Sequence, residues 1–307
     1  MRAKTDFPEH EPPHTKIVMT GCIDVCIIAF RLKLSYLSQN VDPTGGPFDK
    51  FLTFVYYTHN TRQNGAFLEE YRRMTNKGNT FVLSLGGSLV IPNGGIDIQF
   101  LCDFNAFIRN QISSKKRRFF ITVGGGATTR HYQKAAQAVR KQNLDTVDMD
   151  WLGLHATRLN AQLIRTIFRD VADQRVIKHY EIILKIDKPI AIAAGWKPGW
   201  STDYCAVTLC QDYDITQVIN LTNIDHVYTG DPRKDPHAKP IADMTWRKYR
   251  SMVGDTWVPG MNSPFDPIAS KLAQDLGVTV KIINGKDLKT VADAIDGKPF
   301  IGTTIHN

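Results

Sequence analysis

From residue 78 onward the apolar positions alternate between two rhythms. Residues 81–85 (FVLSL) are a short apolar run closed by Gly86-Gly87-Ser88, the length and flank of a buried strand. Residues 97–112 carry Ile98, Leu101, Phe104 and Ile108 near the 3.6-residue period, which predicts a helix. A second strand is expected over 119–123, closed by Gly124-Gly125-Gly126, then helices over 128–141 and most of 152–172, with Asp150 just upstream. Further strands are predicted at 189–194, 217–221, 278–283 and 302–305, and helices at 201–211, 245–253, 267–276 and 287–295. Before residue 78 no sustained period of either kind is visible. That segment holds Pro8, Pro12, Pro13, an Asp-Pro-Thr-Gly-Gly-Pro turn cluster and isolated apolar stretches. Residues 1–78 therefore read as an N-terminal extension without regular structure, and 79–307 as one domain.

Alternating strands and helices predict an α/β fold, a three-layer αβα sandwich with a mainly parallel central sheet covered on both faces. Such sheets bind ligands beyond the carboxyl ends of their strands. Four of the predicted strands run straight into Gly or Thr-Asn loops, which directs attention to that edge.

Composition narrows the class. With 42% hydrophobic and 22% charged residues in 307, the chain can bury a core, which excludes a collagen, a coiled coil and a fully disordered protein. A net charge of +8 favours anionic ligands or surfaces. No finger, recognition helix or aromatic RNA-binding signature accompanies it, so nucleic acid is not an expected partner. The longest basic run, Lys115, Lys116, Arg117 and Arg118, reads as a solvated helix end. Five cysteines without a CxxC pair or a His-Cys cluster give neither a disulfide framework nor a zinc site, and point to reduced thiols in a cytoplasmic protein. The best apolar stretch, 17–37, contains Asp24, Arg31 and Lys33, so neither a membrane span nor a signal peptide is expected.

Chemistry concentrates in the loops. Glycine after a strand lets the backbone approach a ligand, and a following helix N-terminus favours an anion. The chain does this at 86–88 and again at 124–126; each alone is equally a tight turn, and the pair suggests phosphate. Neither a Walker A motif nor a GxGxxG fingerprint occurs. The segment Gly195, Trp196, Lys197, Pro198, Gly199, Trp200, Ser201, Thr202, Asp203 gathers hydroxyl, lysine and carboxylate groups at a helix start. Ser201 and Thr202 fit a helix cap as well as a phosphate contact, and the two tryptophans fit surface cover as well as base stacking. Asp231 before Pro232 is a turn signal, Tyr228 fits core or ligand contact, Asp266 before Pro267 fits an N-cap, and Lys271 by default is a surface lysine.

In order, the segments LSLGGSLV, VGGGATTRHY, LGLHATRLNA, AGWKPGWSTD, INLTNIDHVYTGDPRKDPHAKPI, FDPIASKLAQDLGVTVKIING and GTTI resemble the amino-acid kinase superfamily, most closely its archaeal-type uridylate kinases, over residues 80–305. The resemblance implies transfer of the ATP γ-phosphoryl group to UMP with Mg²⁺, and a homohexamer. By position it implies ATP contacts at Gly87, Ser88, Gly126, Arg130, Thr222, Tyr228 and Asp231. It implies UMP contacts at Gly125, Asp150 and the run Trp196, Lys197, Pro198, Gly199, Trp200, Ser201 and Thr202. Asp203 and Lys271 are similar to groups at the reaction centre, and no protein-held metal set is implied.

The chain departs from that pattern at three places. Ala127 and Ser84 stand where many relatives carry lysine, and the archaeal THPGHTTD has become WKPGWSTD, with Trp196, Lys197 and Trp200 replacing polar side chains. Lys197 is the candidate replacement cation. The competing expectations are a kinase of another small phosphate acceptor and a non-catalytic nucleotide or anion binding or storage protein on the same scaffold.

Overall fold

The computed structural model describes residues 78–141, 144–180, 183–232, 234–256 and 263–307. The expected extension over 1–78, and the apolar stretch within it, lie outside the described residues except for Gly78.

Eight strands form one sheet: β1 (Thr80–Leu85), β2 (Arg118–Val123), β3 (Ala172–Ile177), β4 (Ile190–Ala193), β5 (Gln217–Thr222), β8 (Asp243–Thr245), β9 (Thr279–Asn284) and β10 (Thr303–His306), in the order β3-β4-β2-β1-β5-β9-β10-β8. The six from β3 to β9 in this order are mutually parallel; β10 runs antiparallel to β9 and parallel to β8. A separate ribbon pairs β6 (Val227–Tyr228) with β7 (Pro240–Ile241). The helices are α1 (Gly87–Val90), α2 (Ile98–Lys115), α3 (Gly126–Arg140), α4 (Thr146–Ile167), α5 (Thr202–Tyr213), α6 (Trp246–Val253), α7 (Pro267–Leu276) and α8 (Leu288–Ile295).

Every residue of β1 is buried, as a central strand covered on both sides requires. Its side chains alternate between two cores. Phe81, Leu83 and Leu85 join the core beneath α1, α2, α4 and α8, while Val82 joins the core beneath α5, α6 and α7. The same alternation turns Ser84 toward α5, a point the site depends on.

Three sequence expectations change. Asp150 lies inside α4, which begins at Thr146 behind an Asp145 cap that accepts from Val147 N. Ala172 opens the edge strand β3 rather than ending a helix. The run 115–118 is a solvated helix end at Lys115 and Lys116 only. Arg117 is buried, bonds Gln111 and reaches Asp296 at 2.6 Å, while Lys115 meets the same carboxylate at 2.6 Å. The Asp266 cap is present, accepting from Ile268 N and Ala269 N. Cys205 and Cys210 are buried free thiols. Among the described residues no helix is long and apolar enough to cross a membrane.

Candidate active site

Because β1, β2, β4 and β5 are parallel, the loops that follow them emerge at one edge of the sheet. There they surround a cavity of about 610 Å³, within the ~300–1,000 Å³ common for small-molecule sites. Its walls include Ser88, Gly125, Gly126, Arg130, Asp150, Lys197, Trp200, Ser201 and Thr202. They also include Asn93, Thr129, Gln133, Thr157 and Asn223, which the sequence reading did not single out.

The two glycine loops touch backbone to backbone. A Cβ on Gly87 would lie 2.1 Å from Gly126 N, and one on Gly126, whose φ is +62°, would lie 2.3 Å from Gly87 O. Glycine is therefore required here by the approach of one loop to the other, and the result is two chain turns fused into one wall. The β2 loop is pinned from below by Asn160 of α4, which donates to Gly124 O at 2.8 Å and Gly125 O at 3.0 Å. Asn160 is itself buried.

Helix α4 also fixes the opposite wall. Arg158 donates to Gly195 O at 3.2 Å and Trp196 O at 2.7 Å, and Gly195 N donates to Thr157 Oγ1 at 3.0 Å. Gly199 N donates to Asp150 Oδ2 at 2.9 Å. Burial raises the Asp150 carboxyl above its ordinary value, and the Gly199 amide opposes that rise. Across the loop, the Lys197 ammonium sits 4.0 Å from the Trp196 ring centre and 5.1 Å from that of Trp200. The two indoles meet at 88° and pack on the core together with Tyr180 and Tyr204, so they cover apolar surface.

Two longer helices begin at the cavity. α3 starts at Gly126 with no side-chain cap, and α5 starts behind Ser201, whose Oγ accepts from Tyr204 N at 3.0 Å. Arg130 and Lys197 are the cations of the wall and Asp150 its acid. Arg130 is steadied by Asn93 Oδ1 at 3.0 Å. The Thr129 hydroxyl is enclosed and has no partner. Helix dipoles, hydroxyls and a cationic excess make this a pocket for an anion with several oxygens.

Asp203 lies at the junction of this pocket with the sheet. Its Oδ1 accepts from Ser84 Oγ at 2.8 Å and its Oδ2 from Asp266 N at 3.2 Å. Burial, and then the nearby Asp266 carboxylate, push its pKa up to about 7. Tyr249 holds the approach to α7, accepting from Phe265 N and donating to Phe265 O. Ala127 is fully buried.

Other predicted residues fall outside the cavity wall. Pro198 and Gly199 belong to the same loop, and Thr222 ends β5 next to Asn223, its carbonyl accepting from Gly285 N. Tyr228 lies on β6 against His226, and Asp231 opens a turn in which its carbonyl accepts from Lys234 N and Asp235 N. Lys271 is exposed on α7.

A parallel α/β sheet with an anion pocket built from two fused glycine turns is the architecture of a phosphate-handling protein. Comparison with known proteins makes this specific. Residues 79–284 match the model of the amino acid kinase family, and the chain belongs to that family. It is 33% identical to the uridylate kinase of Methanospirillum hungatei over 229 residues, covering 74% of this chain and 94% of that protein. It is 32% identical to the uridylate kinase of Pyrococcus abyssi over 228 residues, covering 73% and 98%. Among solved structures, the uridylate kinase of Archaeoglobus fulgidus superposes with a TM-score of 0.61 at 26% identity, covering 74% of this chain and 99% of that one. The UMP kinase of Bacillus anthracis, 17% identical with a TM-score of 0.59, shares the fold.

Proposed function

We propose that the protein is a kinase that transfers the γ-phosphoryl group of ATP to UMP, giving UDP and ADP. The observation that supports this reading most is the meeting of the fused 86–88 and 124–126 turns with the 195–202 loop around one cavity. In this reading Gly87, Ser88, Gly126 and Arg130 take the donor phosphates, and Thr222, Tyr228 and Asp231 the adenosine. Gly125, Asp150 and residues 196–202 take the acceptor, with the Asp150 oxygen not bonded to Gly199 facing the ribose. An acceptor phosphate oxygen attacks the γ-phosphorus in line as the bond to the β-phosphate oxygen breaks, and ADP leaves.

The chain's task is alignment and charge neutralisation, since such a transfer asks for little covalent chemistry from the protein. Lys197 and Arg130 supply cations to the moving phosphoryl group. Asp203 organises the centre, and Lys271 is assigned beside the donor phosphates. Among the described residues no group of three or more His, Cys, Asp or Glu side chains converges. Mg²⁺ would arrive with the nucleotide and would neutralise charge on its phosphates. Six copies are expected to assemble, as light scattering would read.

A second reading, nucleotide binding without turnover, is favoured by one observation. Asp203 is held by two neutral donors, the Ser84 hydroxyl and the Asp266 amide. A coupled assay offering ATP and Mg²⁺ with UMP, CMP, GMP or isopentenyl phosphate separates the readings. UDP formed from UMP supports the kinase, and turnover of another acceptor redirects it. Tight ATP binding with no product from any acceptor establishes the binder.

A further inference from the structure

We propose that Trp196 and Trp200 are positioning residues, forming a right-angled aromatic corner that holds the Lys197 ammonium at the cavity wall. The inference rests on the reading of 195–202 as the acceptor loop, but its physical core does not.

An exposed lysine carries a long flexible stem, and a free ammonium samples many rotamers. Here the stem is exposed, yet Nζ lies over two ring faces at once, 4.0 Å and 5.1 Å from their centres. The faces attract a cation through their quadrupoles, more strongly for indole than for the other rings. The corner is rigid. The rings meet at 88° with centres 4.4 Å apart, and both are backed by buried Tyr180 at 5.9 and 6.4 Å. The Tyr180 hydroxyl is tied to Ala194 O at 3.0 Å, and the Tyr204 ring meets Trp200 edge to face with centres 4.2 Å apart. The backbone is held too, by Arg158 at Trp196 O and by Trp200 N donating to Lys197 O at 3.2 Å.

No carboxylate among the described residues pairs with Lys197, so its charge is directed by the rings and not cancelled by them. A cation kept in place but unneutralised is the form in which a lysine best meets an incoming phosphate. The three substitutions in the WKPGW segment then act as one unit: one brings the cation and two hold it.

A double-mutant cycle tests this. In the wild-type background Trp196→Leu and Trp200→Leu are expected to lower kcat/KM for the monophosphate, with UMP as the probe, by about tenfold or more. Trp196→Phe is expected to restore most of the loss. In a Lys197→Ala background the same tryptophan changes are expected to cost several-fold less, the remainder being their own contact with the acceptor. Equal losses in both backgrounds would overturn the proposal. If UMP binds without turnover, the same cycle is read in Kd by calorimetry.

If UMP neither binds nor reacts, the functional reading fails, and the wild-type protein still decides the positioning claim. Ring currents are expected to move the Lys197 Cε protons upfield in ¹H–¹³C spectra, and Trp196→Phe to reduce the shift. Lys197 signals at free-lysine positions would overturn it, whether or not the leucine variants fold.

Discussion

At Asp203 a carboxylate is enclosed with a hydroxyl, an amide and a second carboxylate, and its pKa of about 7 reflects that company. The unfolded value is near 4, so between about pH 4 and pH 7 the native state holds a proton the unfolded chain has lost. This contribution to stability is complete below about pH 4 and disappears as pH rises through 7. Asp203→Asn is therefore expected to flatten the pH dependence of stability across that window, as denaturant titrations at pH 5 and pH 8 would show, and to abolish turnover. The groups facing Asp203 include Ser84 from β1, Asp266 at the start of α7, Tyr249 of α6 and Cys205 of its own helix. Lys197 makes the complementary case. Its side chain is exposed, so Lys197→Ala should leave thermal stability nearly unchanged. Loss of one pre-placed charge at a phosphoryl group is expected to lower kcat by about 10²-fold. Unchanged kinetics would remove Lys197 from the reaction centre. Thr129→Val removes an unpartnered hydroxyl at the wall and is expected to weaken nucleotide binding, measured by calorimetry, without loss of stability.

Among the elements, the fused turns before α1 and α3 are the least tolerant. Gly87→Ala sets a Cβ against the Gly126 amide, and a destabilisation of about 3 kcal/mol is expected from the forced backbone shift. Urea unfolding would measure it. The element level also shows where the sequence was legible. β1, β2 and β5 announce themselves because burial on both faces demands unbroken apolar runs. β3 did not, because an edge strand tolerates Asp173, Gln174 and Arg175. The first turns of α4 were hidden because Thr146, Val147 and Asp148 face solvent, which left Asp150 looking like a loop residue. α1 has four residues, too few for a period to register. In the site, glycine and the Trp-Lys-Pro-Gly-Trp segment were visible as motifs. Asn93, Gln133 and Thr157 were not, since a lone polar side chain in a helix or loop carries no signal that it faces a cavity.

For the whole molecule, the far side of the sheet from the pocket is tied by charge. Lys115, Arg117 and Lys298 converge on Asp296, whose carboxyl they hold well below its ordinary range. This stabilisation exists above the unfolded carboxyl pKa and is lost on acidification, opposite in sign to Asp203. Asp296→Asn strands buried Arg117, and a loss of about 3 kcal/mol is expected by denaturation at pH 7.

Helix α4 reaches both walls of the pocket: Asn160 grips the turn after β2, while Asp150, Thr157 and Arg158 grip the loop after β4. The two jaws of the site thus share a single lever. A substitution that shifts α4 would therefore displace the two turns as a pair and leave their mutual spacing unchanged.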